Sequence, residues 1–240
     1  LTANPERTAK RYHIVTFIRD TKNLDVARMV GREEVELVPA SDLIARITAQ
    51  TCRQSGLSVA YTELLDFGGD EIYIKEEPSL VGKTFGEALF AYEDSAVIGL
   101  HGKDERLQLN PPMQTKLAQG DKLIVISADD DTIRPSGKNA LPIETAAICE
   151  ATVRPPMPER TLILGCNARA ASIITELDHY VGPASVVKVV AENLAELNDF
   201  LEQNVQGEPY ANVQVKGQAG DITDRRTLDA LDIPSFQHVI

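Results

Sequence analysis

Apolar positions along the chain recur in two rhythms. Residues 12–18 alternate as a strand, 23–30 carry Leu24, Ala27 and Val30 at helical spacing ahead of Gly31, and 35–38 form a second apolar strand closed by Pro39. Ser41 is placed to cap a helix over 42–54 with Leu43, Ile44 and Ile47 on its apolar side, ending before Gly56. From Leu57 the rhythm shortens. Strands are expected at 58–67, 71–75, 96–100, 106–109 and 121–127, with one short helix at 84–91 and turns at Gly68-Gly69, Gly102-Lys103 and Gln119-Gly120-Asp121. A Pro- and Asp-containing stretch of weak periodicity follows. Regular alternation then returns as strand 161–164, helix 170–180, strand 186–191, helix 194–204, strand 213–216, helix 224–231 and strand 237–240, the order of a parallel βαβ sheet.

The fold class these elements imply is α/β, with Rossmann-like parallel sheet lobes and a small α+β domain between them. The expected division is 1–56 as the closing part of a first parallel lobe with its crossover helix, 57–128 as the small domain, 129–158 as a linker, and 159–240 as the first half of a second lobe. Because the chain stops inside its last strand, a fuller sheet is expected in a longer polypeptide, and Leu1 without an initiator Met fits a segment cut from one. A different arrangement has the terminal strands of the chain completing the second lobe's sheet.

Composition narrows the partners. The net charge of −12, from 36 acidic and 24 basic residues in 240, leaves no basic patch for a nucleic-acid backbone and favours divalent cations or basic surfaces. Apolar runs such as 123–126 and 186–190 fall far short of the roughly 20 residues that cross a bilayer. Cys52, Cys149 and Cys166 form no CxxC pair, which speaks against a disulfide framework or a thiolate metal site and for a reducing compartment.

Candidate chemistry gathers in the last third of the chain. Strand 161–164 runs into Gly165-Cys166-Asn167-Ala168-Arg169 and then a helix, the strand, tight turn and helix N-terminus that make an anion site. In a G-x-G-x-x-G turn the second and third glycines would fall at Asn167 and Ala170; Ala is accepted there, whereas Asn holds a pyrophosphate less closely. Arg169 can reach a phosphate or serve in a surface salt bridge, and Cys166 reads as packing. Glu192, at the end of the next strand, stands where an acid accepts a ribose diol; the plainer reading is a helix cap or a solvated carboxylate. Asp221 and Thr223, in Gly220-Asp221-Ile222-Thr223-Asp224, either line the cleft or let Thr223 or Asp224 cap the following helix. Carboxylate runs at Glu33-Glu34-Glu36, Glu76-Glu77 and Asp129-Asp130-Asp131 offer oxygen ligands to calcium but lack the twelve-residue loop spacing. His13, His101, His179 and His238 are scattered, and Gly82-Lys83-Thr84 lacks the first glycine of a P-loop.

The order of these segments resembles the RCK, or TrkA-N plus TrkA-C, regulatory modules of potassium channels and transporters. Residues 14–19 and 31–39 look like the end of an RCK amino-terminal lobe; Leu80-Val81-Gly82-Lys83-Thr84-Phe85 and Gln119-Gly120-Asp121 look like its TrkA-C-like carboxy-terminal lobe. Leu164-Gly165-Cys166-Asn167-Ala168-Arg169-Ala170, with Glu176-Leu177-Asp178 and Val181-Gly182-Pro183-Ala184-Ser185 downstream, is similar to the CASTOR/POLLUX-type channel branch. The resemblance implies a cytosolic ligand-sensing element of a gating ring, a membrane pore domain in the same longer polypeptide, and a homo-oligomer, a tetrameric ring or dimers. It implies NAD(H) or another nucleotide, or calcium, as ligand, with Gly165, Asn167, Ala168, Arg169, Glu192, Asp221 and Thr223 as the cofactor-binding residues. A nucleotide-binding peripheral subunit of a TrkA-type potassium transporter and an NAD-dependent dehydrogenase-like enzyme are the alternatives; no residue is placed as a catalytic acid or base, so binding rather than turnover is expected.

Overall fold

A computed structural model describes residues 6–8, 11–138, 142–149, 152, 155–167, 169–205 and 210–240. Ala168, one of the expected site residues, lies outside them. The chain separates into two compact units, residues 1–55 with 153–240 and residues 56–152.

Unit 1 carries two parallel sheets. Strand β1 (Ile14–Ile18) pairs with β2 (Val35–Pro39) in register Ile14↔Val35 to Ile18↔Pro39, joined across helix α1 (Leu24–Gly31). Arg32, in the left-handed region at φ 53°, turns the chain out of α1, so the expected stop at Gly31 is executed one residue later. Arg7 clamps the second turn end by donating to both Glu34 carboxylate oxygens at 2.8 and 2.9 Å. That bond holds the Glu34 carboxyl below its ordinary pKa.

Helix α2 (Ala40–Arg53) follows β2 directly. Ser41 does not cap it: its hydroxyl donates to the Arg19 carbonyl at 2.8 Å instead, and no side chain caps the helix start. The buried stripe is Ala40, Ala45 and Ala49, whereas Leu43 and Ile44 remain 48% and 42% exposed. Small side chains let α2 lie close on helix α5 (Ala170–Tyr180), where Ala45 and Ala49 share a core with Ile173, Ile174 and Leu177. Of the three apolar positions legible in the sequence, Leu43 and Ile44 therefore face outward and Ile47 is half-buried.

The second sheet contains β7 (Arg160–Leu164), β8 (Ser185–Ala191), β9 (Val213–Ala219) and β10 (His238–Val239), all parallel in the order β10-β7-β8-β9. Helices α5, α6 (Leu194–Val205) and α7 (Arg225–Asp229) make the crossovers. The central strands are mostly apolar because both faces are covered: Ile163, Val187 and Val189 enter one core, Leu162 and Val190 the other, with Lys188 the one charged residue within β8. Strands β1 and β2 form their own sheet and do not complete this one, so the arrangement in which the terminal strands join the second lobe is not adopted. Polar contacts tie the two segments of the unit instead. Arg53 donates to Glu159 at 2.6 and 3.2 Å, His238 sets its two ring nitrogens 3.0 Å from the Cys52 carbonyl and 3.1 Å from Glu159, and Arg46 lies 3.3 Å from the buried Glu176.

Unit 2 opens with Gly56 in the left-handed region, which starts helix α3 (Leu57–Leu65). A strand was the expectation for 58–67. The alternation of Leu57, Val59 and Tyr61 is overridden by the i, i+3, i+7 spacing of Leu57, Ala60 and Leu64 and by the helix formers Ala60, Glu63 and Leu64. An antiparallel sheet then assembles from β3 (Glu71–Glu76), β4 (Ala96–His101), β5 (Leu107–Leu109) and β6 (Lys122–Ser127), in the order β3-β6-β4-β5. It packs on a core of Leu80, Phe85, Ala88, Leu123 and Val125. The short helix α4 (Phe85–Ala88) begins with a capping box, the Thr84 hydroxyl accepting from the Glu87 amide while the Glu87 carboxylate accepts from the Thr84 amide. A bulge interrupts the β4–β6 ladder between Val97 and Gly99, and on the other side of Gly99 β5 lies so near that an added Cβ would collide with the Gln108 carbonyl.

Three substitutions check this packing by urea unfolding. Ala49→Leu should cost about 1–3 kcal/mol by overpacking the α2–α5 contact, whereas Leu43→Ala on the outer face should cost about 1 kcal/mol or less. Thr84→Ala should cost about 1 kcal/mol through loss of the cap.

Candidate functional site

Three consecutive loops leave the carboxyl ends of β7, β8 and β9 at the same level of the sheet. The ladder pairs Leu164 with Val190 and Ala191 with Ala219, and it continues past the strands: the Gly165 amide donates to the Val190 carbonyl at 2.8 Å and the Gly220 amide to the Ala191 carbonyl at 2.9 Å. Gly165, Glu192 and Asp221 thus reach one edge, beside the point where the strand order reverses between β10 and β8 around β7, the usual cleft of such sheets. Gly165 is required there by its backbone, with φ +105°, since a Cβ would find only the Ile222 Cδ1 at 3.7 Å.

The structure brings Glu192, Asp221 and Thr223 together. Asp221 Oδ1 accepts from the Thr223 amide at 2.8 Å and the Thr223 hydroxyl at 2.6 Å. These bonds push the Asp221 pKa below the usual carboxylate value. The Glu192 carboxyl is pushed the other way, first by its hydrogen bond with Asp221, then by the Asp221 charge and by partial desolvation. The pair therefore divides one proton unequally: as pH falls, Glu192 takes it and donates to an Asp221 that stays ionised. Glu192 is exposed, as a solvated carboxylate would be, while the capping roles belong to Asn193 and to Asp224, the latter one of the two caps expected. Asn193 Oδ1 accepts from the Ala195 amide at 3.0 Å, and Asp224 caps α7 by accepting from the Arg226 amide at 2.9 Å. Neither Glu192 nor Thr223 is the cap.

The phosphate turn is altered where the sequence differs from glycine. Asn167 Oδ1 accepts from the Arg169 amide at 2.8 Å, so the turn satisfies one of its own donors. The turn therefore presents one amide fewer to an incoming anion. Cys166 is half-buried and packs against the core, as its sequence position suggested.

Asn167, Arg169 and Ser172 also line a hollow of about 550 Å³ with Arg19, Lys22 and Ser41 from the other segment of unit 1. Sequence reasoning missed Arg19, Lys22 and Ser41, because nothing local marks residues whose partner lies well over a hundred positions away. The carboxylate runs are engaged in structure rather than gathered as ligands: Glu34 with Arg7, Glu77 with the Ser79 amide and hydroxyl, Asp129 with the Asp130 amide. Among the described residues no group of three or more His, Cys, Asp or Glu side chains is arranged to hold a metal ion, and no helix is long and apolar enough to cross a membrane.

The chain is similar in sequence to known proteins. Residues 41–143 match the family described as Castor and Pollux, part of voltage-gated ion channel. Ion channel CASTOR of Lotus japonicus is 30% identical over 236 residues, covering 96% of this chain and 27% of that protein. Probable ion channel POLLUX of Oryza sativa subsp. japonica is 28% identical over 236 residues, covering 96% of this chain and 24% of its own length. The chain thus spans about a quarter of the length of the curated relatives it matches. Among solved structures, the GsuK RCK domain aligns at 16% identity with a TM-score of 0.32, over 93% of this chain and 42% of that one. The GsuK channel bound to NAD aligns at 17% identity with a TM-score of 0.34, over 94% and 35%. Along nearly its whole length the chain is thus similar to a part of the CASTOR and POLLUX ion channels, and its residues 41–143 match the Castor and Pollux family.

Proposed function

We propose that this region senses a nucleotide in the cleft of its parallel lobe and passes the result to a channel pore, as part of a ring of several copies on the cytosolic face of a membrane. In this reading residues 1–56 close a first lobe, 57–128 form its small domain, 129–158 link it onward, and 159–240 begin a second lobe. The observation that carries it is the Glu192–Asp221 carboxyl pair beside the Gly165 turn, at the sheet edge where such folds take a ribose. The channel names of the curated relatives supply the link to ion conduction and favour a binding role over an enzymatic one. Ligand binding acts by population shift: the ring moves only as far as the ligand prefers one arrangement over the other. Leu43 and Ile44 on α2, and Val59 and Leu65 on α3, are exposed apolar side chains suited to pairing between copies.

Calorimetry with NAD, NADH, ATP and calcium tests the cleft. Glu192→Gln and Asp221→Ala should each weaken nucleotide binding by roughly tenfold or more, the scale of a charge-assisted hydrogen bond, and calcium binding that ignores both would defeat the reading. Glu192 must be ionised to accept two hydroxyls, so affinity should fall as pH drops through its raised pKa. Asp221→Asn removes the neighbouring charge, and the Glu192 titration midpoint followed by carbon NMR should then move down toward the ordinary carboxylate range. For the assembly, Leu43→Asp should shift the chain to smaller species in light scattering; an unchanged mass would remove α2 from the pairing surface.

A further inference from the structure

The hollow of about 550 Å³ in unit 1 is basic in a chain whose net charge is −12. Arg19 and Lys22 enter it from the loop after β1, and Arg169 enters from the start of α5. None of the three side-chain cations has an ion pair or side-chain hydrogen bond among the described residues. Unpaired cations drawn together from separate segments repel one another, an arrangement that an anion relieves. The one carboxylate on the wall, Asp20, accepts from the Lys22 amide at 3.0 Å, within its own turn. Three cations against one carboxylate leave an excess of two positive charges.

The polar wall also specifies the kind of anion. Ser172 stands in the first turn of α5, an eleven-residue helix whose positive end adds to the field of the three side chains. Two guanidinium forks and an ammonium suit the tetrahedral, multiply charged oxygens of a phosphoryl group better than a single planar carboxylate. The Asn167 side chain, which blunts the glycine turn, lines this same hollow and leaves it open.

We infer that the Arg19–Lys22–Arg169 hollow binds the phosphoryl groups of an anionic ligand, in place of the glycine turn. The anion bridges residues 1–55 and 153–240, so its binding also stabilises unit 1 as a whole. Only the identity of the ligand's other end rests on the nucleotide reading of the cleft.

The test is calorimetry of the 240-residue chain with pyrophosphate, ADP and adenosine at low and raised salt, using Arg19→Gln, Lys22→Gln and Arg169→Gln. Arg225→Gln, an exposed arginine on α7 paired with Asp229, controls for overall charge. Pyrophosphate should bind, roughly tenfold more weakly in each hollow variant, more weakly at raised salt, and unchanged in Arg225→Gln. Absence of pyrophosphate binding, or an equal loss in Arg225→Gln, overturns the inference. Binding of ADP that is indifferent to Arg19→Gln and Lys22→Gln overturns it while leaving the nucleotide reading intact. Pyrophosphate binding lost in those variants, with ADP no tighter than pyrophosphate and adenosine unbound, upholds the inference and removes the nucleotide reading.

Discussion

The in-register ladder of β7, β8 and β9 is the constraint on which the candidate site depends. Parallel pairing fixes where each strand ends relative to its neighbours, and the two bonds that continue it, from Gly165 to Val190 and from Gly220 to Ala191, carry that alignment into the loops. A one-residue slip of β9 would turn Val213 and Val215 away from the core and withdraw Asp221 from Glu192. Burial of Ile163, Val187 and Val189 on one face, with Leu162 and Val190 on the other, makes such a slip costly. The perturbed carboxyl pair is thus held by hydrophobic burial in the strands beneath it rather than by a framework of its own.

Most of the parallel lobe was legible because each of its elements announces itself locally. The helix at 170–180 coincides with α5, and the strands fall within a residue or so of expectation except β9, which runs three residues further, to Ala219. Legibility failed where small residues or competing periods decide the outcome. In α2 the stripe that packs is alanine, which hydrophobic spacing undervalues, so Leu43 and Ile44 stood out although they face outward. In α3 a period-two reading of Leu57, Val59 and Tyr61 obscured a helical one. For the site, the chemistry of Glu192 and Asp221 was visible as position along the chain, but their mutual contact, and the unequal sharing of a proton it produces, is a property of the sheet edge. Arg19 and Lys22 carry no local mark at all.

The charge of unit 1 is unevenly laid out. The Glu192–Asp221 pair lies at the ends of β8 and β9, while Arg19, Lys22 and Arg169 gather by the start of α5, and Asn167 and Arg169 belong to both the turn and the hollow. Under the proposed reading of the cleft and hollow, such a layout suits an extended ligand with an uncharged, hydroxyl-bearing end and an anionic end, and it disfavours one with the charges reversed.

The discontinuity of unit 1 bears on how the molecule comes into being. Its two segments are separated in sequence by the whole of residues 56–152, so during synthesis α2 emerges long before α5, the surface that Ala45 and Ala49 cover. At roughly 5–20 residues per second the wait is on the order of ten seconds. The intervening unit, being continuous, can fold within that interval, and the length-dependent entropy of closing a loop of roughly 100 residues, about 4 kcal/mol, is then met by an already ordered insert. Translation order therefore lets residues 56–152 mature while the alanine face of α2 still waits for α5, in need of shelter from other newly made chains until that counterpart arrives.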